Sequence, residues 1–275
     1  MSKGAVLISG AAGGIGTATV DRFLASGYQV AGIDLSPSVE TLRSGSYRGG
    51  VVDVREPGQL VPALEELLSG VELKHVVSLA GAVVEEEKSL LAERDSVAAT
   101  EGFAKSIALN LTSQFSLVHA ALPLLERSEG DRSIALCSSI NALRGFGNPA
   151  YSAAKAGLAG MMHALAAPLG RQGIRINVVA PGTTRTPLVD REMGRHGDPT
   201  RLERVARDIP LGRTGEPEDV AAVIESLADR MTFVTDEVVR IDGGQTLAPP
   251  HGPANGPVDR WRRAVRRRLH NRPFR

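Results

Sequence analysis

The sequence lacks several features that would assign it to common classes of protein. It has one cysteine, Cys137, so no intramolecular disulfide can form, which fits a reducing cytosol. No apolar run approaches the ~18 residues of a transmembrane helix, and the opening MSKGAVLISGAAGGIG is too short and glycine-rich for a signal peptide. The six histidines show no metal-ligand spacing. We therefore expect a soluble, cytoplasmic protein without a metal site or a transmembrane segment.

Net charge is also small, at +1, which gives no global electrostatic reason to bind nucleic acid. The charge is uneven, however. Residues 251–275 carry eight Arg and one Asp, whereas residues 1–250 carry 24 Lys and Arg against 30 Asp and Glu. The Pro- and Gly-rich stretch APPHGPANGP links the two parts. These observations predict one domain over residues 1–247 and a linker with a basic tail over residues 248–275.

The basic tail has three interpretations. Trp261, Val265 and Leu269 recur at four-residue steps among arginines, which is typical of a short amphipathic helix. Docking onto the acidic body of its own or a neighbouring subunit is the leading interpretation, and disorder is the second. Binding to an anionic membrane or to nucleic acid is the third, because few aromatic residues are interleaved with the arginines. Nucleic acid is therefore not expected as the main partner.

Short β-rich runs alternate with helical stretches along the chain. Most of the runs are continuously apolar, as expected for a parallel sheet that is covered on both faces. The predicted strands are residues 5–9, 28–34, 50–54, 75–80, 133–138, 175–180 and 237–242. The predicted helices lie near residues 14–26, 57–69, 101–126, 149–167 and 217–230. This alternation predicts a single-domain α/β fold with a doubly wound parallel sheet.

The first predicted strand runs directly into a glycine-rich turn and a helix, in LISGAAGGIGTATVDRFLASG. Gly10, Gly14 and Gly16 lie where the chain turns tightly and lets a phosphate approach the backbone. The helix that begins near Gly14 offers unpaired N–H groups and the positive end of its dipole. The spacing is G-x-x-x-G-x-G rather than G-x-G-x-x-G, but its place between strand and helix predicts a site for a dinucleotide.

Asp34 ends the second predicted strand. An acid about 20 residues after the glycine turn accepts hydrogen bonds from the adenosine ribose and repels the 2′-phosphate of NADP. No Arg or Lys follows within DLSPS or lies within GAAGG, so the sequence favours NAD over NADP. The alternative interpretation is that Asp34 only caps a turn.

A tyrosine and a lysine lie four residues apart at the start of a predicted helix, in NPAYSAAKAGL. Asn148 can cap this helix, and Pro149 suits its first position. The spacing places Tyr151 and Lys155 on one face of the helix, one turn apart. Alone they could be a surface pair, so their meaning depends on the rest of the chain.

The segments together resemble the short-chain dehydrogenase/reductase family over about residues 4–247. SGAAGGIG resembles its cofactor loop, VDV its adenine-contacting segment, and SLAG part of its Asn-Asn-Ala-Gly stretch. NLTSQF resembles the helix that carries its Asn, CSSINALRGFGNPAYSAAKAG its Ser and Tyr-x-x-x-Lys segment, and VVAPGTTRTPL its Pro-Gly-x-x-x-Thr segment. The resemblance implies a Rossmann-like fold of about seven strands and a homo-oligomer, either a tetramer or a dimer.

The resemblance also implies an oxidoreductase that transfers a hydride between NAD(H) and a secondary alcohol or ketone. Tyr151 is then the acid or base, and Lys155 lowers its pKa and holds the nicotinamide ribose. Ser139 hydrogen-bonds the substrate oxygen, and Asn110 holds a relay water. The implied cofactor contacts are Tyr151, Lys155, Gly10, Gly14, Ile15, Gly16, Asp34, Asp53, Val54, Ala80, Gly81, Pro181, Gly182 and Thr186.

Four positions depart from the family pattern. Ser9 replaces a usual Thr but keeps its hydroxyl, and Leu79 stands where an Asn is usual. Asp236 replaces a usual Gly. Pro168 lies late in the helix of Tyr151, where we expect it to distort the last turn.

The catalytic serine and the exact function each have an alternative. Ser139 and Tyr151 have 11 residues between them where 12 are commoner, so the context favours Ser139 whereas strict counting favours Ser138. An NADPH-dependent ketoreductase of the same family is one alternative function. A catalytically silent protein that senses NAD(H) and binds a partner through its basic tail is another.

Overall fold

The computed structural model describes residues 3–42, 45–88, 93, 95–144, 148–190 and 201–247. The predicted linker and tail, residues 248–275, lie outside the described residues. The division of the chain at residue 247 therefore stays a prediction.

A single parallel sheet of seven strands forms the centre of the described structure. The strands are β1 (Ala5–Ser9), β2 (Gln29–Asp34), β3 (Tyr47–Val51), β4 (Leu73–Ser78), β5 (Arg132–Cys137), β6 (Ile174–Pro181) and β7 (Val238–Ile241). Their order is β3-β2-β1-β4-β5-β6-β7, and every neighbouring pair is parallel. The predicted doubly wound α/β fold is confirmed.

One predicted strand is out of place. The apolar run at 50–54 predicted the third strand, but β3 begins at Tyr47, where it pairs with Val30 of β2. Two glycines within β3 interrupt the apolar pattern by which a strand is predicted. Gly49 is required there because a Cβ atom would lie 2.0 Å from the carbonyl oxygen of Val39. A close backbone crossing therefore fixes this strand, rather than its hydrophobicity.

Helices cover both faces of the sheet. They are α1 (Gly14–Ala25), α2 (Pro57–Leu67), α3 (Ser96–Ile107), α4 (Ser113–Glu126), α5 (Pro149–Arg171), α6 (Arg201–Asp208) and α7 (Pro217–Asp229). The predicted helix over 101–126 is divided by a π-helical turn, Ala108–Thr112, between α3 and α4. The expected distortion at Pro168 does not end α5, because this helix runs on to Arg171.

Two hydrophobic cores explain why the strands are apolar on both faces. Leu7 of β1 packs in the first core with Leu64 of α2 and Leu158 of α5. Its neighbour Ile8 points to the opposite face and packs in the second core with Phe23 of α1. Burial of both faces gives β1 its continuous apolar run.

The stretch Ser96–Glu126 is the one helical region among the described residues that is long and apolar enough to cross a membrane. Length and composition alone are weak evidence, because core helices of globular proteins pass the same test. Leu117, Val118 and Leu125 of this stretch pack in the first core. Packing on the sheet therefore explains part of its apolar character.

The sheet order also determines where a ligand can bind. The connection from β1 leads to β2 on one side, whereas β4 lies on the other side of β1. The loops that follow β1 and β4 therefore diverge at their carboxyl ends and leave a crevice between them. The glycine-rich turn after Ser9 lies in this crevice.

A buried histidine forms a polar chain at the opposite end of β4. His75 Nδ1 lies 2.9 Å from Ser133 Oγ, and its Nε2 lies 3.2 Å from the hydroxyl of Tyr28. That hydroxyl donates to Asp229 Oδ1 at 2.6 Å, so it accepts from His75 Nε2–H. Burial lowers the pKa of His75 from 6.5 to about 4, and the imidazole is neutral in the folded state.

We predict that His75 makes the fold sensitive to mild acid. The unfolded chain binds this proton near pH 6.5 and the folded chain only near pH 4, so the stability contributed by the neutral imidazole is lost as pH falls through this window. Between pH 7 and pH 4.5 the wild type should lose about 2 kcal/mol more unfolding free energy than His75→Asn. Urea unfolding at the two pH values measures this difference, and equal losses in both proteins would contradict the prediction.

Candidate active site

The glycine-rich turn is shaped by two close backbone approaches. Gly10 has a φ of 71°, and a Cβ atom there would lie 2.9 Å from the backbone nitrogen of Ala80. A Cβ atom at Gly16 would lie 2.0 Å from the carbonyl oxygen of Gly10. Within the described residues no side chain caps α1, so its first N–H groups face the crevice with the positive end of the helix dipole. This cradle fits the pyrophosphate of a dinucleotide.

Asp34 lies beside this turn, at the end of β2. Its Oδ2 accepts a hydrogen bond from the N–H of Ala12 at 3.0 Å, and its Oδ1 accepts one from the N–H of Ser36 at 2.9 Å. The bond from Ser36 is a turn cap, which is the alternative role of Asp34. The same carboxylate also lines a cavity of about 290 Å³, so the cap and a ligand contact are compatible.

The remaining predicted adenine-side residues line the same cavity. Asp53, Val54 and Ala80 are among its walls. Arg55 forms an ion pair with Asp53 at 2.6 Å, and its guanidinium lowers the pKa of the Asp53 carboxyl. Ser9 supports this wall, because its hydroxyl accepts a hydrogen bond from the N–H of Ala80 at 3.3 Å. Ser9 thus makes a hydrogen bond through the hydroxyl group that serine and threonine have in common.

A second cavity, of about 330 Å³, begins where the first one ends. Leu79 and Gly81 line both cavities, so the two cavities are the two ends of one crevice. The second cavity brings together residues from β5, α5, β6 and the glycine-rich turn. Its walls include the predicted residues Ile15, Ser138, Ser139, Tyr151, Lys155, Pro181, Gly182 and Thr186.

Lys155 places a buried ammonium group at the inner wall of this second cavity. The residue is 3% exposed, and its Nζ donates to the carbonyl oxygen of Cys137 at 2.8 Å. Nζ also lies 5.6 Å from the ring centroid of Tyr151. Burial lowers the pKa of Lys155 because desolvation disfavours its charged form. The two residues of the Tyr-x-x-x-Lys motif therefore share one wall, rather than an exposed face of α5.

The two candidate serines have different surroundings. Ser138 is 5% exposed, and its Oγ donates to the carbonyl oxygen of Lys155 at 2.7 Å. Ser139 is less buried, and its Oγ accepts from the N–H of Asn141 at 3.2 Å. Ser138 thus connects the end of β5 to α5 by a hydrogen bond. The Ser139 hydroxyl instead contacts Asn141 at the edge of the cavity.

Asn110 lies in the π-helical turn and is fully buried. Its Nδ2 donates to the carbonyl oxygen of Ala82 at 2.8 Å and to that of Ser106 at 3.0 Å. Its Oδ1 accepts from the N–H of Ala82 at 3.1 Å. The side chain of Asn110 therefore holds the chain segment that follows β4, and its backbone carbonyl oxygen accepts from Gln114 Nε2 at 3.4 Å.

Thr186 closes the crevice above the glycine-rich turn. A Cβ atom at Gly14 would lie 2.9 Å from Cγ2 of Thr186. The Thr186 hydroxyl accepts from the N–H of Val189 at 3.2 Å and keeps its own hydrogen for another acceptor. Thr186 can pack against the start of α1 because Gly14 has no side chain.

Three residues of the site were not predicted from the sequence. Gln245 Oε1 accepts from the N–H of Thr183, and its Nε2 donates to the hydroxyl of the same residue. Gln114 Nε2 donates to the carbonyl oxygen of Cys137 at 3.2 Å, beside Lys155. Glu87 is bonded to the first turn of α5, where Asn148 makes no side-chain cap, contrary to the prediction. All three contacts join distant parts of the chain, so no local pattern could have revealed them.

Known proteins resemble this chain in sequence and in fold. A family model described as enoyl-(acyl carrier protein) reductase matches residues 10–246. Levodione reductase of Leifsonia aquatica is 31% identical over 262 residues, which cover 88% of this chain and 94% of the relative. The (3R)-3-hydroxyacyl-CoA dehydrogenase of Mus musculus is 34% identical over 256 residues, which cover 86% of this chain and 94% of the relative. A crystal structure of a short-chain dehydrogenase/reductase family oxidoreductase from Burkholderia thailandensis superposes with a TM-score of 0.78 at 30% identity, over 98% of each chain.

The chain belongs to the short-chain dehydrogenase/reductase family. The resemblance inferred from the motifs is confirmed, and so is the Rossmann-like sheet. Short-chain dehydrogenases/reductases are oxidoreductases that bind a nicotinamide cofactor, and the glycine cradle with its two joined cavities fits such a dinucleotide.

We predict that Gly81→Ala weakens binding of the cofactor. A Cβ atom at this position would lie 2.7 Å from Asn110 Oδ1 and 3.0 Å from Lys155 Nζ, so one of these buried groups must move. Overpacking of this kind costs about 1–3 kcal/mol, and where this cost falls on the cofactor-bound state it corresponds to a roughly 5- to 150-fold loss of affinity. Titration with NADH, followed by nicotinamide fluorescence, measures the change.

Gly58→Ala is the matched control for this experiment. Gly58 lies in α2, and nothing lies within 4 Å of the Cβ atom that would be added. We expect wild-type affinity from this variant. Equal affinities for both variants would show that the junction of the two cavities tolerates a side chain.

Proposed function

We propose that this protein is an NAD(H)-dependent dehydrogenase that interconverts a secondary alcohol and a ketone. The observation that carries the proposal is the common cavity of Ser139, Tyr151 and Lys155. This cavity adjoins, at Gly81, the one that contains Asp34. A proton donor, a buried cation and a hydroxyl thus lie at one end of a crevice whose other end presents a carboxylate. That pairing suits a redox step on a carbon–oxygen bond more than it suits binding alone.

Tyr151 is the acid and base of the proposed reaction. A bound nicotinamide dinucleotide supplies the partner that gives or takes the hydride. In alcohol oxidation the phenolate oxygen of Tyr151 accepts the hydroxyl proton, and in ketone reduction the phenol donates it. The adjacent Lys155 ammonium favours the phenolate, because an opposite charge close to an acid stabilises its ionised form.

Ser139 and the π-helical turn complete this proton chemistry. The Oγ–H of Ser139 donates to the substrate oxygen and stabilises the charge that develops on it. Its neighbour Ser138 is committed to the carbonyl oxygen of Lys155, which supports Ser139 as the catalytic serine. Asn110 acts through its backbone carbonyl as the holder of a relay water, because its side-chain amide is engaged by Ala82 and Ser106.

The other predicted residues hold the cofactor. The N–H groups at the start of α1, near Gly14, Ile15 and Gly16, bind the pyrophosphate. Lys155 binds the nicotinamide ribose, and the Thr186 hydroxyl binds the carboxamide. The backbone at Pro181 and Gly182 shapes the pocket around the ring. The adenosine end lies among Asp53, Val54 and Ala80.

Asp34 supports NAD as the cofactor rather than NADP. Its carboxylate lines the adenosine cavity together with Leu35, an apolar residue that is 55% exposed. A 2′-phosphate at this place would meet a negative charge, and none of the described residues that line the cavity is an Arg or a Lys. An NADPH-dependent ketoreductase is therefore the weaker alternative.

The similar proteins support the substrate class. One is named a levodione reductase and another a (3R)-3-hydroxyacyl-CoA dehydrogenase, and both names describe redox chemistry at a carbon–oxygen centre.

We also infer a cytoplasmic homo-oligomer. The partial exposure of Phe103 on α3 and Phe115 on α4 supports a contact between copies through these helices.

We predict that Tyr151→Phe lowers kcat by about 100- to 10,000-fold, because it removes the acid and base but keeps the ring. Cofactor affinity should change little. Single-turnover and steady-state rates with a panel of secondary alcohols and ketones measure the effect. Turnover that survives the change would reject the mechanism, whereas a wild type that binds NADH without any turnover would favour the catalytically silent alternative.

We predict that Ser139→Ala and Ser138→Ala fail in different ways. Ser139→Ala should lower kcat by about 100- to 1,000-fold at unchanged thermal stability, because it removes the donor to the substrate oxygen. Ser138→Ala should lower the melting temperature, because it removes a buried hydrogen bond that joins the end of β5 to α5. The reverse pattern would assign catalysis to Ser138.

We predict that Asp34→Asn reduces the preference for NADH over NADPH by at least about tenfold, because it removes the charge that repels a 2′-phosphate. The amide keeps one acceptor oxygen for the N–H of Ala12 or Ser36, so the turn stays folded. Fluorescence titration of both proteins with both nucleotides measures the preference. A wild type that binds NADPH more tightly would reverse the assignment of the cofactor.

A further inference from the structure

The helix that carries Tyr151 begins without a cap from its own sequence. Asn148, the residue before Pro149, has left-handed backbone angles of φ 52° and ψ 72°, and its side chain makes no cap bond. Pro149 occupies the first helical position and lacks an N–H group. The N–H groups of Ala150 and Tyr151 are therefore the first two of α5 that need an acceptor from outside the helix.

Glu87 supplies that acceptor from a distant part of the chain. Its Oε1 accepts from the N–H of Ala150 at 2.8 Å and from that of Tyr151 at 3.1 Å. Its Oε2 also lies 3.2 Å from the nitrogen of Tyr151. Glu87 is 63 residues before Ala150 and is 3% exposed. A carboxylate that is removed from water in this way is stabilised by the helix dipole and by these N–H groups.

The short 3-10 helix that carries Glu87 is itself anchored. It spans Glu85–Lys88, and the N–H of Glu87 donates to the carbonyl oxygen of Val84 at 3.1 Å. A few residues earlier, Asn110 holds Ala82 by two hydrogen bonds. The chain from Ala82 to Glu87 therefore connects the wall of the cofactor crevice to the backbone of Tyr151.

We propose that Glu87 is a positioning residue for Tyr151, acting as a helix cap supplied from outside the helix. It fixes the backbone of α5 at the residue whose phenol must meet the substrate oxygen. A displacement of about 1 Å at a reacting group can cost on the order of 100-fold in rate, so the cap matters beyond its share of stability. The inference rests on the proposed catalytic role of Tyr151, but the cap itself does not.

The experiment compares Glu87→Ala and Glu87→Gln with Glu86→Gln. The glutamine at position 87 keeps an acceptor oxygen for both N–H groups, whereas alanine removes it. Glu86→Gln changes an exposed carboxylate in the same 3-10 helix and is the matched control. Three measurements are needed: hydrogen–deuterium exchange of peptides that cover residues 148–155, steady-state kcat and KM, and NADH affinity.

Glu87→Ala should raise exchange in the first turn of α5 and lower kcat by about 10- to 100-fold, with KM and NADH affinity near wild type. Glu87→Gln should stay within about threefold of the wild-type kcat, and Glu86→Gln should match the wild type. Wild-type exchange and kcat in Glu87→Ala would overturn the proposal, as would a Glu87→Gln variant as impaired as the alanine. If the wild type shows no turnover at all, the proposed function fails, whereas the exchange data still decide whether Glu87 caps α5.

Discussion

The cost of keeping the Lys155 ammonium out of water governs the arrangement of the cavity that Tyr151 and Ser139 line. A buried cation is tolerated only where it is hydrogen-bonded or paired, and here the carbonyl oxygen of Cys137 at the end of β5 accepts from it. Gln114 donates to the same oxygen, and Ser138 ties the backbone of Lys155 to the strand. These bonds hold α5 against the sheet end, so the position of Tyr151 is set by the burial of its neighbour.

Local chemistry made part of this structure predictable. The glycine turn, α1 and the place of Asp34 at the end of β2 were predictable because a glycine cluster, a helix start and a short apolar strand are each visible in neighbouring residues. The bounds of β3 and the residue that caps α5 were not predictable in this way. Gly49 is fixed by contact with Val39, and Glu87 caps a helix 63 residues away. Such contacts form only when the chain has folded, so they cannot be predicted from hydrophobic periodicity or from the helix and strand propensities of neighbouring residues.

The departures from the family pattern have separate physical explanations. Asp236 replaces a usual glycine at a φ of 66°, a left-handed conformation that aspartate tolerates better than most residues, and its carboxylate pairs with His163 at 2.7 Å. Leu79, where an asparagine is usual, packs against the second core. A side-chain hydrogen bond is thus exchanged for apolar contact, while the N–H of Leu79 still bonds to the carbonyl oxygen of Ser9.

The chain from Leu79 to Glu87 makes the two halves of the site mechanically dependent on each other. It is bonded to β1 through Ser9, to the π-helical turn through Asn110 and to α5 through Glu87. Each bond ends on a different element, so the segment cannot move at one point without straining another. Gly81, in its middle, lines both cavities and has no room for a side chain. A cofactor that binds against this segment would therefore meet a wall whose far end is hydrogen-bonded to the backbone of Tyr151.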